Sequence, residues 1–437
     1  MKRAARRIVT KLRLHGHEAF FAGGCVRDLL LRRKPTDIDI ATSATPEDVL
    51  ALFPKSRSMG SQFGVVQVSL YGNLYEVATF RSDSEYLDGR HPSTVTFCGP
   101  EEDARRRDFT INGMFYDPIA DRLIDYVRGR SDIQKRVIRT IGNPISRFEE
   151  DKLRMLRAIR LSCSLGFEII PDTWNAIQKL ASKILQVSAE RIRDELTKLF
   201  IGPNPDVGLD LLYDGGLLDH ILPEMAETRH IPQQPESLTG MNVFAHSRTA
   251  LGLLRNSSTA LAFGTLLHDV GKPSTFSEDK TQCFKSHAKV GAKIVETICR
   301  RLKMSNREVD KVVDLVRTHM NFFPAAQMPL SKLKRLLFKS NIGDHLELYR
   351  VNCLSNRKSL DNHSRYLDIL RELNQKPKQP PLIGGKDLIE MGYLPGPVFA
   401  EILRKVEDLQ LDGILRTRKD AVDFVKTHIP EEGKNQT

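Results

Sequence analysis

Two aspartates one residue apart, Asp37 and Asp39, follow closely on a glycine pair, Gly23-Gly24, and an Arg27-Asp28 pair, in the stretch F-A-G-G-C-V-R-D-L-L-L-R-R-K-P-T-D-I-D-I-A-T from Phe21 to Thr42. On a strand, residues i and i+2 point the same way, so both carboxylates would share a face, roughly 7 Å apart along the backbone. Hard oxygen ligands at that spacing suit Mg²⁺, which binds through one or two carboxylates together with substrate phosphates. Glycines let a triphosphate lie against their backbone N–H groups. Arg27 offers phosphate a planar fork of donors. The chemistry these residues point to is nucleotidyl transfer. Singly, each has a plainer explanation: a turn for Gly-Gly, a solvated loop or cap for Asp-x-Asp, a surface ion pair for Arg-Asp. Their order and closeness carry the reading.

The elements that must position these groups follow from patterning. Residues 1–20 predict an amphipathic helix, with Ile8, Val9, Leu12 and Leu14 among basic residues, closed at His15-Gly16. A strand over 17–22 leads into the glycine turn, a short helix covers 26–32, and a strand over 37–41 carries both aspartates. Thr45-Pro46-Glu47-Asp48 opens a further helix. Segments 63–70 and 74–80 read as a hairpin around Tyr71-Gly72-Asn73. Arg81–Pro92 is polar and aperiodic, hence a loop. From Phe148 onward the pattern is helical, and arginines 154, 157 and 160 make a slanting ridge rather than a straight face. Trp174, the single tryptophan, is assigned to a core.

Composition bounds the classes. A chain of 437 residues exceeds one ordinary core. Its 66 basic and 55 acidic residues give a net charge of +11, which fits a polyanionic partner, nucleic acid first. Six cysteines without a C-x-x-C pair argue against a structural zinc site or disulfide framework and fit a reducing compartment. No signal peptide or membrane span is read, so the expected location is the cytoplasm.

GG-x-VRD-x-LL followed by D-x-D closely resembles the opening motif of the bacterial (class II) tRNA nucleotidyltransferase and poly(A) polymerase family. The resemblance implies that Gly24 and Arg27 hold the incoming nucleotide and that Asp37 and Asp39 hold metal ions. Arg107-Asp108 within RRDFTIN matches the family's next nucleotide motif, implying that Arg107 contacts the nucleotide while Asp108 orients an arginine or the sugar. Asp125–Gly129 with Asp132 and Ile133 reads as scaffold. EDKLRMLRAIR resembles the family's template motif. Asp151 and Arg154 would then read the base edge of C or A, with Arg157 and Arg160 as further nucleotide contacts. Glu190 and Arg191 would be supports. A flexible segment at Arg81–Pro92 takes part in adding the terminal adenosine in that family, so its presence argues against a strictly CC-adding enzyme.

Beyond a Pro/Gln-rich link at 230–237 come FAHS (His246), LLHDVGKP (His268, Asp269), SHAKVGA (His287) and VRTHM (His319). An adjacent His-Asp inside an apolar helix is costly unless metal-bound or hydrogen-bonded. The order resembles the HD superfamily of metal-dependent phosphohydrolases, implying these five residues as ligands to a divalent transition metal. The family's last aspartate is replaced here by Asn352, a neutral and weaker ligand. Gly392 and Pro395-Gly396-Pro397 would join two helices in the tail.

The expected fold is α+β: a nucleotidyltransferase palm head with a mixed sheet at 1–140, an all-α neck and RNA-binding body at 141–228, an HD domain at 238–370 and a helical tail at 380–430. The expected activity is template-independent, Mg²⁺-dependent addition of C and/or A from CTP or ATP to the 3′ end of tRNA, with no membrane and no obligate protein partner. Alternatives are an A-adding enzyme or poly(A) polymerase, an HD phosphohydrolase using the head to bind RNA, and a non-catalytic RNA-binding protein.

Overall fold

The computed structural model describes residues 1–59, 64–83, 95–234, 241–255, 257–277, 284–375 and 380–429. Two units separate: Met1–His230 with Thr297–Ser305, and Ile231–Glu296 with Asn306–Thr437.

The first unit opens with α1 (Lys2–Leu14), which buries Ala5, Ile8, Val9 and Leu12 as one stripe and exposes Arg3, Arg6, Arg7 and Lys11. There follow β1 (Ala19–Ala22), α2 (Gly24–Leu30), β2 (Asp39–Thr42), α3 (Pro46–Leu52), β3 (Ser56–Ser58), β4 (Val65–Leu70) and β5 (Asn73–Thr79). Then come β6 (Arg81–Asp83), β7 (Val95–Phe97), α4 (Pro100–Arg105), β8 (Phe115–Asp117) and β9 (Arg122–Ile124). The main sheet runs β3-β4-β5-β2-β1-β8-β9 and is mixed, because β2 and β5 are parallel while its other pairs are antiparallel. The interior strand β1 is buried along its whole length, which is why it reads as continuous apolar sequence rather than alternation. Phe20, Phe80 and Phe115 pack beneath it, with Phe80 edge-on to Phe115 at 5.8 Å. Thr45 and Asp48 form the capping box of α3. Tyr71 and Gly72 both take positive φ, as a tight hairpin requires.

Three expectations are corrected here. Asp37 precedes the strand rather than lying in it: β2 begins at Asp39, and the helix before it begins at Gly24, not at residue 26. Arg81–Pro92 is not loop throughout, since β6 pairs with β7 in register Arg81↔Phe97, while residues 84–94, and with them the flexible segment, lie outside the described residues. The helix expected from Phe148 is two helices. It breaks at Asp151, whose φ of −145° and ψ of 104° are extended and whose side chain accepts from the Leu153 N–H at 3.1 Å.

The unit continues with α5 (Gly129–Lys135), β10 (Val137–Ile138), α6 (Pro144–Glu150), α7 (Leu153–Leu165), β11 (Glu168–Ile169), α8 (Pro171–Leu180), α9 (Ala189–Phe200), α10 (Pro205–Asp214), α11 (Leu218–Ile221) and α12 (Pro223–Ala226). Trp174, expected in a core, is only half-buried and lines a cavity of about 540 Å³ with Phe167, Val207 and Leu211.

The second unit is helical: α13 (Val243–Gly252), α14 (Thr259–Leu267), α15 (His287–Arg301, counted with the first unit from Thr297 on), α16 (Asn306–Thr318), α17 (Leu330–Leu337), α18 (Ile342–Ser355), α19 (Asp361–Gln375), α20 (Gly385–Glu390), α21 (Pro397–Leu411) and α22 (Arg418–His428). Ala250, Leu261, Leu315, Leu348 and Val351 form one of its cores. Among the described residues no helix is long and apolar enough to cross a membrane.

Candidate active site

Gly23 sits where β1 ends and α2 begins, at φ 73° and ψ −137°, a conformation that excludes side chains on steric grounds. A Cβ there would lie 3.2 Å from Arg107 Nη1 and 3.9 Å from Asp39 Oδ2, so this glycine keeps open the space between a cation and a carboxylate. Its own N–H is given to Met114 O at 3.3 Å. The Gly23 amide expected to lie against phosphate is thus bonded within the protein here, and the open space comes from its missing side chain.

Asp39 is half-buried at the start of β2 and Asp37 is exposed just before it. The Asp39 carboxyl is pushed up to about 6, first by burial, then by the charges of Asp37 and Glu76, against the pull of Arg107. Glu76, missed in the sequence reading, reaches this site because β2 and β5 are parallel in register Ile40↔Val77, which puts Glu76 beside Asp39. Its signal was an acid between the apolar residues Tyr75 and Val77 of a strand. Three carboxylates crowded at one strand end with one of them desolvated is an arrangement that a divalent cation relieves, so the residues fit Mg²⁺.

The arginines are pinned by acids and amides. Arg107 gives Nε and Nη2 to Asp103 Oδ2 at 3.1 and 2.9 Å, and its guanidinium stacks over Phe115 at 5.1 Å. Asp103, nearly fully buried on α4, also accepts from Arg106 and from the Arg81 N–H at the start of β6. Arg27 bonds Asp28 through Nε and Nη2, and Asn112 Oδ1 through Nη1 at 2.7 Å. Asn112 in turn donates to Asp108 at 3.4 Å, and Asp108 pairs with Arg157 at 2.7 Å. Burial pushes the Asp108 carboxyl up, but Arg157, Arg154 and the Phe109 N–H outweigh it and hold the group below the usual carboxylate range. A continuous relay thus runs from α2 to α7: Arg27, Asn112, Asp108, Arg157. Asp103 was not singled out by the sequence, and Asn112 only as the last residue of RRDFTIN, without a role.

The side chains of Asp151 and Arg154 do not bond each other, although the Arg154 N–H donates to Asp151 O at 3.1 Å. Asp151 Oδ2 accepts from Arg191 Nη2 at 2.8 Å, and Arg154, buried, gives Nη1 to Glu150 at 2.7 Å and to Arg147 O at 3.0 Å. Arg160 pairs with the buried Glu195 at 2.6 Å. The ridge on α7 is thus anchored at each step by a different acid, which fixes its guanidinium groups before a ligand arrives.

In the second unit His246, His268, Asp269, His287 and His319 converge, all buried, as two triads sharing Asp269. His268, His287 and His319 each place Nδ1 on a backbone carbonyl, of Thr265, Phe284 and Val316, at 2.8, 2.9 and 2.7 Å. A carbonyl only accepts, so Nδ1 carries the proton and Nε2 turns a lone pair inward. Burial, then His268, pushes the His246 ring down to about 3, so it is neutral as well. Asn352 is buried and takes the Asn356 amide on its Oδ1 at 2.8 Å, adding no charge. Inward lone pairs around a carboxylate are the donor set of a divalent transition metal.

A family model described as the poly A polymerase head domain matches residues 19–139, one described as the probable RNA and SrmB-binding site of polymerase A matches 166–228, and an HD domain model matches 242–348. The CCA-adding enzyme of Geobacillus sp. (strain WCH70) is 34% identical over 418 residues, covering 95% of this chain and 94% of that protein. That of Geobacillus stearothermophilus is 48% identical over 211 residues, covering 48% of this chain and 52% of that protein, so in this match the chain spans about half the relative's length. A crystal structure of the Bacillus stearothermophilus CCA-adding enzyme in complex with CTP matches with a TM-score of 0.70 at 30% identity, covering 97% of this chain and 96% of that one.

Proposed function

We propose that this chain, which belongs to the CCA-adding enzyme family, transfers cytidylyl and adenylyl groups from CTP and ATP to the 3′ end of tRNA. The observation that carries this is the meeting of Asp37, Asp39 and Glu76 with Arg107 across the side-chain-free Gly23. The RNA 3′-hydroxyl attacks the α-phosphate, the new phosphodiester forms, and pyrophosphate leaves. Asp37 and Asp39 would hold Mg²⁺, which when bound would stabilise the negative charge that develops during the transfer. Gly24 lines the pocket, and Arg27 and Arg107 take the triphosphate and sugar in orientations set by Asn112 and Asp103. Asp108 holds Arg157 in the same relay. Asp151 accepts from the exocyclic amine that C and A share, and Arg154 donates to the ring edge, with Arg157 and Arg160 flanking. Arg191 orients Asp151.

The head at 1–140, the body at 141–228, the HD domain at 238–370 and the tail at 380–430 are the proposed division of labour. Buried cysteines at Cys25, Cys163 and Cys353, none of them in a disulfide, fit the cytoplasm. The five-residue centre on Asp269 is proposed to hold a divalent transition metal, on the strength of its inward-facing lone pairs.

The test is extension of tRNA transcripts ending in the discriminator base, in C and in CC, each with single nucleotides and with mixtures. Restoration of CCA on all three supports the reading. Extension of the CC-ending transcript alone would make the protein an A-adding enzyme, and unlimited A addition a poly(A) polymerase.

A further inference from the structure

Residues 126–128, part of the stretch read from the sequence as scaffold, line a cavity of about 330 Å³ in the first unit. That volume lies at the small end of the range for ligand pockets. Its lining is separate from the residues placed at the catalytic centre. It lies where the backbones of Phe109 and Thr140 pair and the Thr110 N–H donates to Arg139 O at 2.9 Å. One wall thus belongs to the arginine-rich motif and the other to the segment that enters the helical body.

Arg128 is the unusual residue of this cavity. Its φ of 63° and ψ of 27° are left-handed, a conformation that L side chains rarely adopt and that persists where the surroundings impose it. The Asp125 carboxylate imposes it here, accepting from the Val127, Gly129 and Arg130 N–H groups at 3.1, 2.9 and 2.9 Å. The Arg128 side chain is exposed, and among the described residues no acid pairs with it. Arg139 is oriented in advance. Buried Asp132 takes its Nε at 3.0 Å and the Thr110 hydroxyl at 2.7 Å, which leaves both Arg139 Nη groups for a ligand.

The rest of the lining is not that of a bare anion hole. The Tyr126 ring is 40% exposed beside the apolar Val127, Ile141 and Ile170, and Asp172 is an exposed carboxylate. Buried Thr140 leaves its Oγ1 without a partner. A carboxylate repels free phosphate, yet it accepts from the exocyclic amine of cytosine or adenine. An exposed aromatic ring beside guanidinium groups is the combination that stacks a base and holds its phosphate.

We propose that this cavity is a second nucleoside-phosphate site, with Arg128 and Arg139 on the phosphate, Tyr126 against the base and Asp172 on its amine. The ligand is a free nucleotide or one nucleotide unit of an RNA, which present the same chemistry.

Two measurements on the full chain separate these sources: equilibrium dialysis with labelled CTP, and filter binding of a tRNA transcript over a range of salt. Arg128→Gly is the decisive variant. Glycine accepts the left-handed backbone that arginine resists, so the variant should unfold in denaturant no earlier than the unmodified chain. Two CTP per chain, falling to one in Arg128→Gly, assigns the site to free nucleotide. One CTP per chain in both proteins, with tRNA affinity about 10-fold lower in Arg128→Gly and a salt slope smaller by about one, assigns it to RNA. Tyr126→Ala, which removes an exposed ring, should weaken the same binding by about 10-fold. Unchanged CTP count and unchanged tRNA affinity in Arg128→Gly and Tyr126→Ala overturn the proposal. Inorganic phosphate displacing the ligand as well as CMP does would leave only an anion hole and overturns it too.

Discussion

Arg157 on α7 closes on the largely covered carboxylate of Asp108 at 2.7 Å, joining the arginine-rich motif beside the sheet to the first long helix that follows it. The pair sits at the end of the relay from Arg27 through Asn112, so it both stabilises and orients. Asp108→Asn should destabilise the first unit by about 1–3 kcal/mol at neutral pH, less than a fully buried pair because Arg157 keeps contact with water. The Asp108 carboxyl is held low in the fold, so its contribution is complete above the unfolded carboxylate range near about 4 and is lost as pH falls through the folded value. Denaturant unfolding of both proteins should show a difference that is flat from about pH 6 to 8 and shrinks in acid. A difference that grows in acid contradicts the assignment.

Asp37→Ala or Asp39→Ala should lower nucleotide incorporation by about 10³-fold or more, the loss of several kcal/mol of charge stabilisation, while tRNA binding persists. Glu76→Gln should act more gently, shifting the Mg²⁺ concentration for half-maximal rate. Gel-shift and primer-extension assays on the same preparations separate the two effects. Undiminished incorporation in Asp39→Ala removes this site from the reaction.

Asp103 positions Arg107 without reaching the nucleotide space itself. Asp103→Asn should raise KM for CTP and ATP by about 10-fold, in line with the loss of a charge-assisted hydrogen bond. Adding Arg107→Ala to it should cost little more than Arg107→Ala alone, because both changes remove one interaction. Additive losses would mean that Asp103 acts elsewhere, through the Arg81 N–H of β6.

Arg191 bears on base choice. Arg191→Met frees the Asp151 carboxylate and should narrow the preference for CTP over UTP by about 10-fold, a change carried by the ratio of kcat/KM values rather than by overall rate. Equal loss with both nucleotides would indicate a purely structural support.

How much could be read from the chain alone follows from how far apart the cooperating residues lie. Gly23, Gly24, Arg27, Asp37 and Asp39 fall within one short stretch, and their chemistry was legible because a turn, a helix and a strand start position them locally. The four histidines that meet Asp269 lie far apart along the chain and were picked out by type and order instead, each an uncommon residue in an apolar setting. The partners were not legible. Glu76 reaches Asp39 through a parallel strand pairing, Asn112 reaches Arg27 across 85 residues, and Arg191 reaches Asp151 across 40.

Sequence by itself determined the residue types, the order of the motifs and the alternation of sheet and helix, because these depend on local periodicity and side-chain chemistry. Only the tertiary structure decided which guanidinium each carboxylate holds, where the helix breaks at Asp151, and which donors reach each oxygen of Asp269. Those outcomes depend on strand register and on the competition of several donors for one buried acceptor, and neither is written in the spacing along the chain.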